Sequence, residues 1–242
     1  MQKQYKNYVF DLYGTLVDVL TDEESQRLWT SFAWYLKLLG LPAEAGSLRA
    51  DYLRLCAEAQ RAKADMLMAK GIEGPYEADI LTVWQALGNE KGMRLTIRQA
   101  TEISRVFRAL SLRRLGLFPG AAEVLGALRA AGKKVILLTN AQSGFTRPEL
   151  HLLGLDTAFD AIFISGDAGV KKPSPAFFGL LWQTGLRPED SVMVGNDGRC
   201  DCRGAAEAGM DSFYIHTEQS PEDEPVLPKN CHRIRTLTDL IG

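Results

Sequence analysis

No apolar run in this 242-residue chain approaches the roughly 18 to 20 residues that a membrane-spanning helix needs. The opening MQKQYKNYVF also has no apolar stretch ahead of Asp11 of the kind a secretory leader carries. Both absences lead to the expectation of a soluble, cytoplasmic protein with no membrane partner. Cysteine is scarce: Cys56, Cys200, Cys202 and Cys231 lack the paired spacing of a zinc site, and Cys200-Asp201-Cys202 is too tight for a CxxC redox motif. All four read as free thiols. The three histidines, His151, His216 and His232, are scattered without metal spacing. No block of like charge stands out and the formal net charge is -2, which argues against nucleic acid, whose binding relies on many phosphate-neutralising Lys and Arg. Internal repeats and low-complexity segments are missing too.

What is present is ordinary globular composition, 46% hydrophobic and 24% charged, at a length that buries a sizeable core. Short apolar runs recur, each ending in polar or glycine-rich residues: YVF at 8–10, KVILL at 134–138, AIFI at 161–164, SVMV at 191–194 and SFYI at 212–215. Runs without alternation suit strands covered on both faces, as in a parallel sheet. Helical segments lie between them at 121–131, 174–184 and 202–208, followed by Gly132, Gly185 and Gly209 in helix-stop positions. This alternation predicts a doubly wound, Rossmann-like α/β sheet. The stretch 22–115 reads instead as helices, rich in Leu, Ala, Arg, Glu and Trp at helical spacing, broken at GIEGP (71–75), with LFPG (117–120) as the return to the sheet. The expected division is an α/β core of residues 1–19 and 117–242, and an inserted all-helical cap of residues 20–116. The acidic, proline-bearing segment 218–228 reads as a surface loop.

Polar groups follow four of the strands: Asp11 and Thr15 the first, Thr139 and Asn140 the second, Lys171 and Lys172 the third after a loop, and Asn196, Asp197 and Asp201 the fourth. Singly these are turn residues, helix caps or a solvated lysine. Those bland readings do not explain why they occur in order at successive strand ends, which a parallel sheet gathers into one place. Asp11 is then a candidate nucleophile. Thr15, Thr139 and Asn140 can donate to oxygens that gain charge in a transition state. Lys172 neutralises nucleophile and bound anion, and Asp11, Asn196, Asp197 and Asp201 offer the hard oxygens that Mg²⁺ prefers.

In order and spacing the segments FDLYGTL (10–16), LLTN (137–140), GVKKPSP (169–175) and VGND (194–197) through Asp201, followed by Gly204-Ala205 and Ala208-Gly209-Met210, resemble the haloacid dehalogenase superfamily of hydrolases. The insert between the first two resembles that superfamily's α-helical cap. The resemblance implies an aspartate-nucleophile hydrolase, most readily a Mg²⁺-dependent phosphatase of a small phosphorylated metabolite. It assigns Asp11 as nucleophile, Thr139 and Lys172 as holders of the transferred group, and a metal between Asp11, the Tyr13 backbone carbonyl and the acids near Asn196.

Two departures leave alternatives open. Phosphatases of the superfamily usually carry an acid where Tyr13 stands, and a phenol with pKa near 10 is poorly matched to that proton-shuttling role. Asn196 stands where they usually present a metal-binding Asp. The 2-haloacid dehalogenases resemble the chain at Tyr13, because halide leaves without a proton, and Arg27 is then the candidate for their arginine. Phosphonate cleavage through Lys37, and a non-catalytic member that binds a phosphorylated ligand, are further alternatives. Water, Asp18 or a cap residue are candidates for the proton source. Trp29, Trp34 and Trp84 with Phe32 and Tyr35 read as the interior of a helical bundle rather than a pocket. Arg108 is the candidate for substrate contact from the last cap helix. The oligomeric state stays open.

Overall fold

Alternate residues of a strand point to opposite faces of its sheet, and here both sets are apolar, so a layer of helices is required on each side. The computed structural model describes residues 4–223 and 226–242 and shows this arrangement. Strand β1 (Asn7–Phe10) leads into β2 (Val17–Thr21), then four helices, α1 (Gln26–Leu38), α2 (Ala45–Met68), α3 (Ile80–Glu90) and α4 (Ile97–Ser111), and strand β3 (Leu112–Leu117). From there strands and helices alternate: α5 (Ala121–Ala130), β4 (Lys134–Thr139), α6 (Ser143–Leu152), β5 (Ala161–Ile164), the short α7 (Ser165–Ala168), α8 (Pro175–Trp182), β6 (Ser191–Gly195), a π-helical turn (Gly198–Arg203), α9 (Gly204–Glu207), β7 (Asp211–Ile215) and β8 (Cys231–Ile234).

Six strands form one sheet in the order β5-β4-β1-β6-β7-β8, every pair parallel. Its two faces carry separate cores. Tyr8, Phe10, Val135, Leu137, Val192 and Val194 pack on Val124, Leu125 and Leu128 of α5. The intervening Val9, Ile136, Leu138 and Met193 pack on Phe177, Phe178 and Leu181 of α8. After β1 the chain builds outward through β4 and β5, then crosses back to β6. The carboxyl ends of β4, β1 and β6 therefore meet at the topological switch point, where open α/β sheets bind ligands.

Helices α1 to α4 enclose a third core, in which Trp29, Phe32, Trp84 and Phe107 are buried against one another, with Phe32 to Trp84 at 5.3 Å and Tyr52 stacked on Trp84 at 5.0 Å. The bundle-interior reading of these aromatics holds, except that Trp34 is 66% exposed. Local signals start two of the helices: Thr96 and Gln99 form a reciprocal capping box on α4, and the Asp79 side chain accepts from Leu81 N–H at the start of α3.

The structure corrects the stretch 22–115, which was expected to be helical throughout. Its end belongs to β3, which pairs antiparallel with β2, Val17 opposite Leu117, so a two-stranded ribbon lies across both expected boundaries of the insert. Helix α6, with Gly144 and Pro148 inside it, and the polar edge strand β8 were not foreseen either. The helix expected at 202–208 starts earlier as the π-helical turn, which the Asp197 side chain caps by accepting from the N–H groups of Arg199 and Cys200. The expected loop 218–228 has no helix or strand at its described residues, and Glu224 and Pro225 lie outside them. No helix among the described residues is long and apolar enough to cross a membrane.

Candidate active site

Lys172 is the charge centre of the switch point. Its ammonium lies 2.6 Å from Asp11 Oδ1 and 2.7 Å from Asp201 Oδ1, with its side chain 2% exposed. Burial alone would lower the lysine's pKa, but the two carboxylates outweigh that and raise it, so the cation is held charged. Burial and the nearby Asp11 push the Asp201 carboxyl up against the pull of Lys172. These groups, with Tyr13, Thr139, Asn140, Asn196 and Asp197, line a cavity of about 190 Å³ completed by Cys200, Gln219 and Pro221. A larger hollow of about 800 Å³ lies elsewhere, beside Tyr5, Tyr8, Leu128 and Phe213, and includes none of these residues in its lining.

Two glycines let the strand ends close together. Gly14 has φ +85°, and a Cβ there would meet Asn196 Nδ2 at 2.4 Å; a Cβ on Gly195 would meet Asp201 Oδ2 at 2.2 Å. Thr15 Oγ1 is thereby brought 3.3 Å from Asp11 Oδ2 and 3.2 Å from Asn196 Oδ1, and can donate to one at a time. Thr217, just past β7, donates to the Gly14 carbonyl at 2.7 Å. It was missed from the sequence, although the rule of polar residues after strand ends would have found it.

Thr139 is the floor of the cavity. Its hydroxyl is buried and has no hydrogen-bond partner among the described residues, a cost that a bound acceptor oxygen would remove. Asn140 also positions the lysine loop. Its amide accepts from the Lys172 N–H at 2.8 Å and donates one of its two N–H to the Lys172 carbonyl at 3.1 Å, while the residue lines the cavity.

Asp201 is the lysine's second anchor. Both of its oxygens are engaged, one by Lys172 and the other by the Asp197 N–H at 3.0 Å. Among the described residues no group of three or more His, Cys, Asp or Glu side chains is placed to hold a metal ion. The oxygens that do converge are Asp11 Oδ2 and Asn196 Oδ1, both beside Thr15 Oγ1. One carboxylate and one amide oxygen, with Asp197 and Tyr13 lining the same cavity, form an oxygen set that suits a hard divalent cation but supplies little charge.

Tyr13 faces away from the role its position suggests. Its hydroxyl donates to Glu149 Oε2 at 2.5 Å and lies 3.2 Å from Thr146 Oγ1. Burial, and then the charge and hydrogen bond of Glu149, raise its pKa well above the usual phenol value. Glu149 is held in turn by Arg108 at 2.5 Å, and the Arg108 guanidinium sits 4.7 Å from the Phe145 ring and 5.4 Å from that of Tyr13. Arg108 is thus already paired and does not line the cavity, which corrects its expected contact with a substrate anion. Glu149 lies mid-helix with its partners 41 and 136 positions away, and no local signal marks it.

The other candidates fall outside the cavity. Arg27 is exposed on α1, and Lys37 pairs with Glu44 at 2.8 Å beside the Trp34 ring. Asp18 is engaged by Gln219 at 2.5 Å and Arg114 at 2.7 Å. The four cysteines are free thiols; only Cys200 reaches the cavity, and burial and Asp197 push its thiol pKa up to about 12.

Known proteins of similar sequence or fold include phosphatases and a dehalogenase. A phosphoglycolate phosphatase from Salmonella paratyphi A is 35% identical, with 87% of this chain and 81% of that protein covered. A phosphoserine phosphatase from Thermus thermophilus is 31% identical over 62% of this chain, a match that spans 63% of that protein's length. The structure of a 2-haloacid dehalogenase from Pseudomonas syringae superposes with a TM-score of 0.66 over 98% of this chain and 97% of that one, and at 22% identity this likeness is one of fold. The haloacid dehalogenase-like hydrolase model matches residues 5–209, which takes in the six-stranded sheet as far as β6, the π-helical turn and the whole of the Lys172 cluster. The chain belongs to the haloacid dehalogenase-like hydrolases.

Proposed function

We propose that this hydrolase is a cytoplasmic phosphatase of small phosphorylated metabolites, working through Asp11. One observation carries the reading: a buried lysine against the candidate nucleophile, in one cavity with a buried threonine hydroxyl that has no partner among the described residues. A phosphoryl group with its oxygens toward Lys172 and Thr139 would pair that hydroxyl and place phosphorus before the Asp11 carboxylate. Thr15 orients Asp11, Asn140 holds the lysine loop, and Asp201 anchors the ammonium from the far side. The phosphatase names of the relatives support a phosphoric monoester as substrate.

Mg²⁺ is the cofactor we assign. Asp11, the Tyr13 backbone carbonyl and Asn196, with Asp197 beside them, are the residues that would hold it. When bound it supplies positive charge that lowers the repulsion between the nucleophile and the phosphate. Residues 20–116 are proposed to act as a cap that closes over the small substrate and keeps water out.

A 2-haloacid dehalogenase is the second reading, and Tyr13 favours it because a halide departs without a proton. The exposed position of Arg27 counts against it. A turnover screen of phosphoesters and 2-haloacids, with and without Mg²⁺, separates the two. Metal-dependent phosphate release is expected, falling by roughly 10³-fold or more in Asp11→Asn. Metal-independent halide release would replace this reading with the second. Thermal stabilisation by phosphate compounds without turnover would make the chain a binding protein.

A further inference from the structure

We propose, building on the phosphatase reading, that the substrates of this site are phosphates whose leaving group departs as a stable anion, acyl phosphates and phosphates of phenols or enols, in preference to alkyl phosphate esters. The inference starts at Tyr13, two residues past the candidate nucleophile. Its hydroxyl has one proton, and that proton is directed to Glu149 at 2.5 Å, away from the phosphoryl position. Glu149 is fixed there by Arg108, which donates to both of its oxygens, and the Arg108 guanidinium lies within 5.4 Å of the Tyr13 ring centre. The side chains of Arg108 and Glu149 are only 12% and 5% exposed, so the arrangement is a packed part of the fold.

The other proton carriers among the described residues of the cavity are engaged elsewhere or are weak acids. Two of the three Lys172 ammonium protons go to Asp11 and Asp201, and these carboxylates hold the cation charged. Asp201 accepts on both oxygens, Asp197 accepts from two backbone N–H groups on Oδ1, and burial with Asp197 pushes the Cys200 thiol pKa up to about 12. The amide of Gln219 donates to Asp18. Thr15 and Thr139 offer hydroxyls, which hydrogen-bond but do not act as acids. The site therefore has a nucleophile and an anion cradle, with no group aimed to protonate an outgoing oxygen.

The step balances without such a group only for certain substrates. A carboxylate oxygen of Asp11 bonds to phosphorus while the P–O bond to the leaving group breaks, and the electron pair departs on that oxygen. A carboxylate or a phenolate carries the pair as a stable anion, with conjugate acids near pKa 4 and 10. An alkoxide is about as basic as hydroxide and needs a proton in the transition state, a contribution of about 10²- to 10⁴-fold. Water then attacks the phosphorus of the aspartyl phosphate, the bond to Asp11 breaks, phosphate leaves, and the proton of the water passes to phosphate or solvent.

The test is kcat/KM for acetyl phosphate, a series of aryl phosphates of graded phenol acidity, and glycerol phosphate. Rates are expected to fall steeply as the leaving group becomes more basic, with the alkyl ester about 10²-fold or more behind acetyl phosphate. Tyr13→Phe is expected to change absolute rates while keeping that slope, because the hydroxyl it removes is not the acid. Tyr13→Asp, where it folds, is expected to flatten the slope by raising alkyl turnover selectively. A flat slope in the wild type, or a slope that steepens in Tyr13→Phe, overturns the inference and leaves the phosphatase reading standing. Absence of phosphate release from every compound, acetyl phosphate included, removes both.

Discussion

Lys172 is a buried cation between two carboxylates, and such a cluster is stable only while its charges are matched. Removing the cation leaves Asp11 and Asp201 facing each other out of water. Lys172→Met is therefore expected to lower stability by about 3 to 5 kcal/mol, read as a fall in the denaturant midpoint at an unchanged slope. Adding Asp201→Asn should recover part of the loss, because one of the two stranded charges goes with it. A midpoint that stays put in the single variant would mean that water reaches the cluster. The same residues show what the sequence makes legible. Asp11, Thr15, Thr139 and Asn196 stand at or just past apolar runs and Lys172 one loop beyond another, a local signal, and the parallel sheet brings such positions to one cavity or its edge. Their partners are not local: nothing near Asn140 says that its amide will hold the Lys172 backbone, and nothing near Asp201 says that it will take the ammonium.

At the scale of elements, α4 and α6 meet through Arg108 and Glu149, with Tyr13 from the loop after β1 as the third member. This pair ties the last helix before β3 to the helix that follows Thr139. Arg108→Met strands the Glu149 charge and is expected to cost about 3 kcal/mol or more. Arg108→Met with Glu149→Leu should regain most of it, since two apolar side chains replace a matched pair. A double-mutant cycle on unfolding free energy measures the coupling, and simple additivity would show that the two act independently. Helix α6 escaped sequence reading because Gly144 and Pro148 weaken its propensity, whereas contacts with α4 and with the main sheet core hold it in place. Strand β3 was hidden for a related reason: LRRLGL becomes a strand through pairing with β2, Val19 opposite Leu115 and 96 positions from it, and local pattern carries no trace of that partner.

At the scale of the molecule, the apolar interior is divided. The core between α1 and α4 draws its buried members from Leu28 to Phe107 alone, and the two sheet cores take only Leu67 from those helices. The remaining ties across the boundary are polar links, Gln142 with Glu77, Ala78 and Ile80, Ser174 with the Glu73 carbonyl, and Arg108 with Glu149, together with a few half-buried apolar contacts, Phe145 on the helical core and Ile72 and Tyr76 on a sheet core. A cap that opens to admit substrate needs this kind of boundary, since polar contacts can be exchanged for water at small net cost whereas a shared apolar core cannot. Trp84 is fully buried in the helical core, so Trp84→Ala is expected to cost about 3 to 5 kcal/mol within that unit. Amide hydrogen exchange should then quicken in α1, α3 and α4 while β1, β4 and β6 keep their protection, because regions joined by few apolar contacts open separately. Equal acceleration in the helices and the central strands would show one cooperative unit, and closure over the Lys172 cavity would then have to come from smaller loop movements.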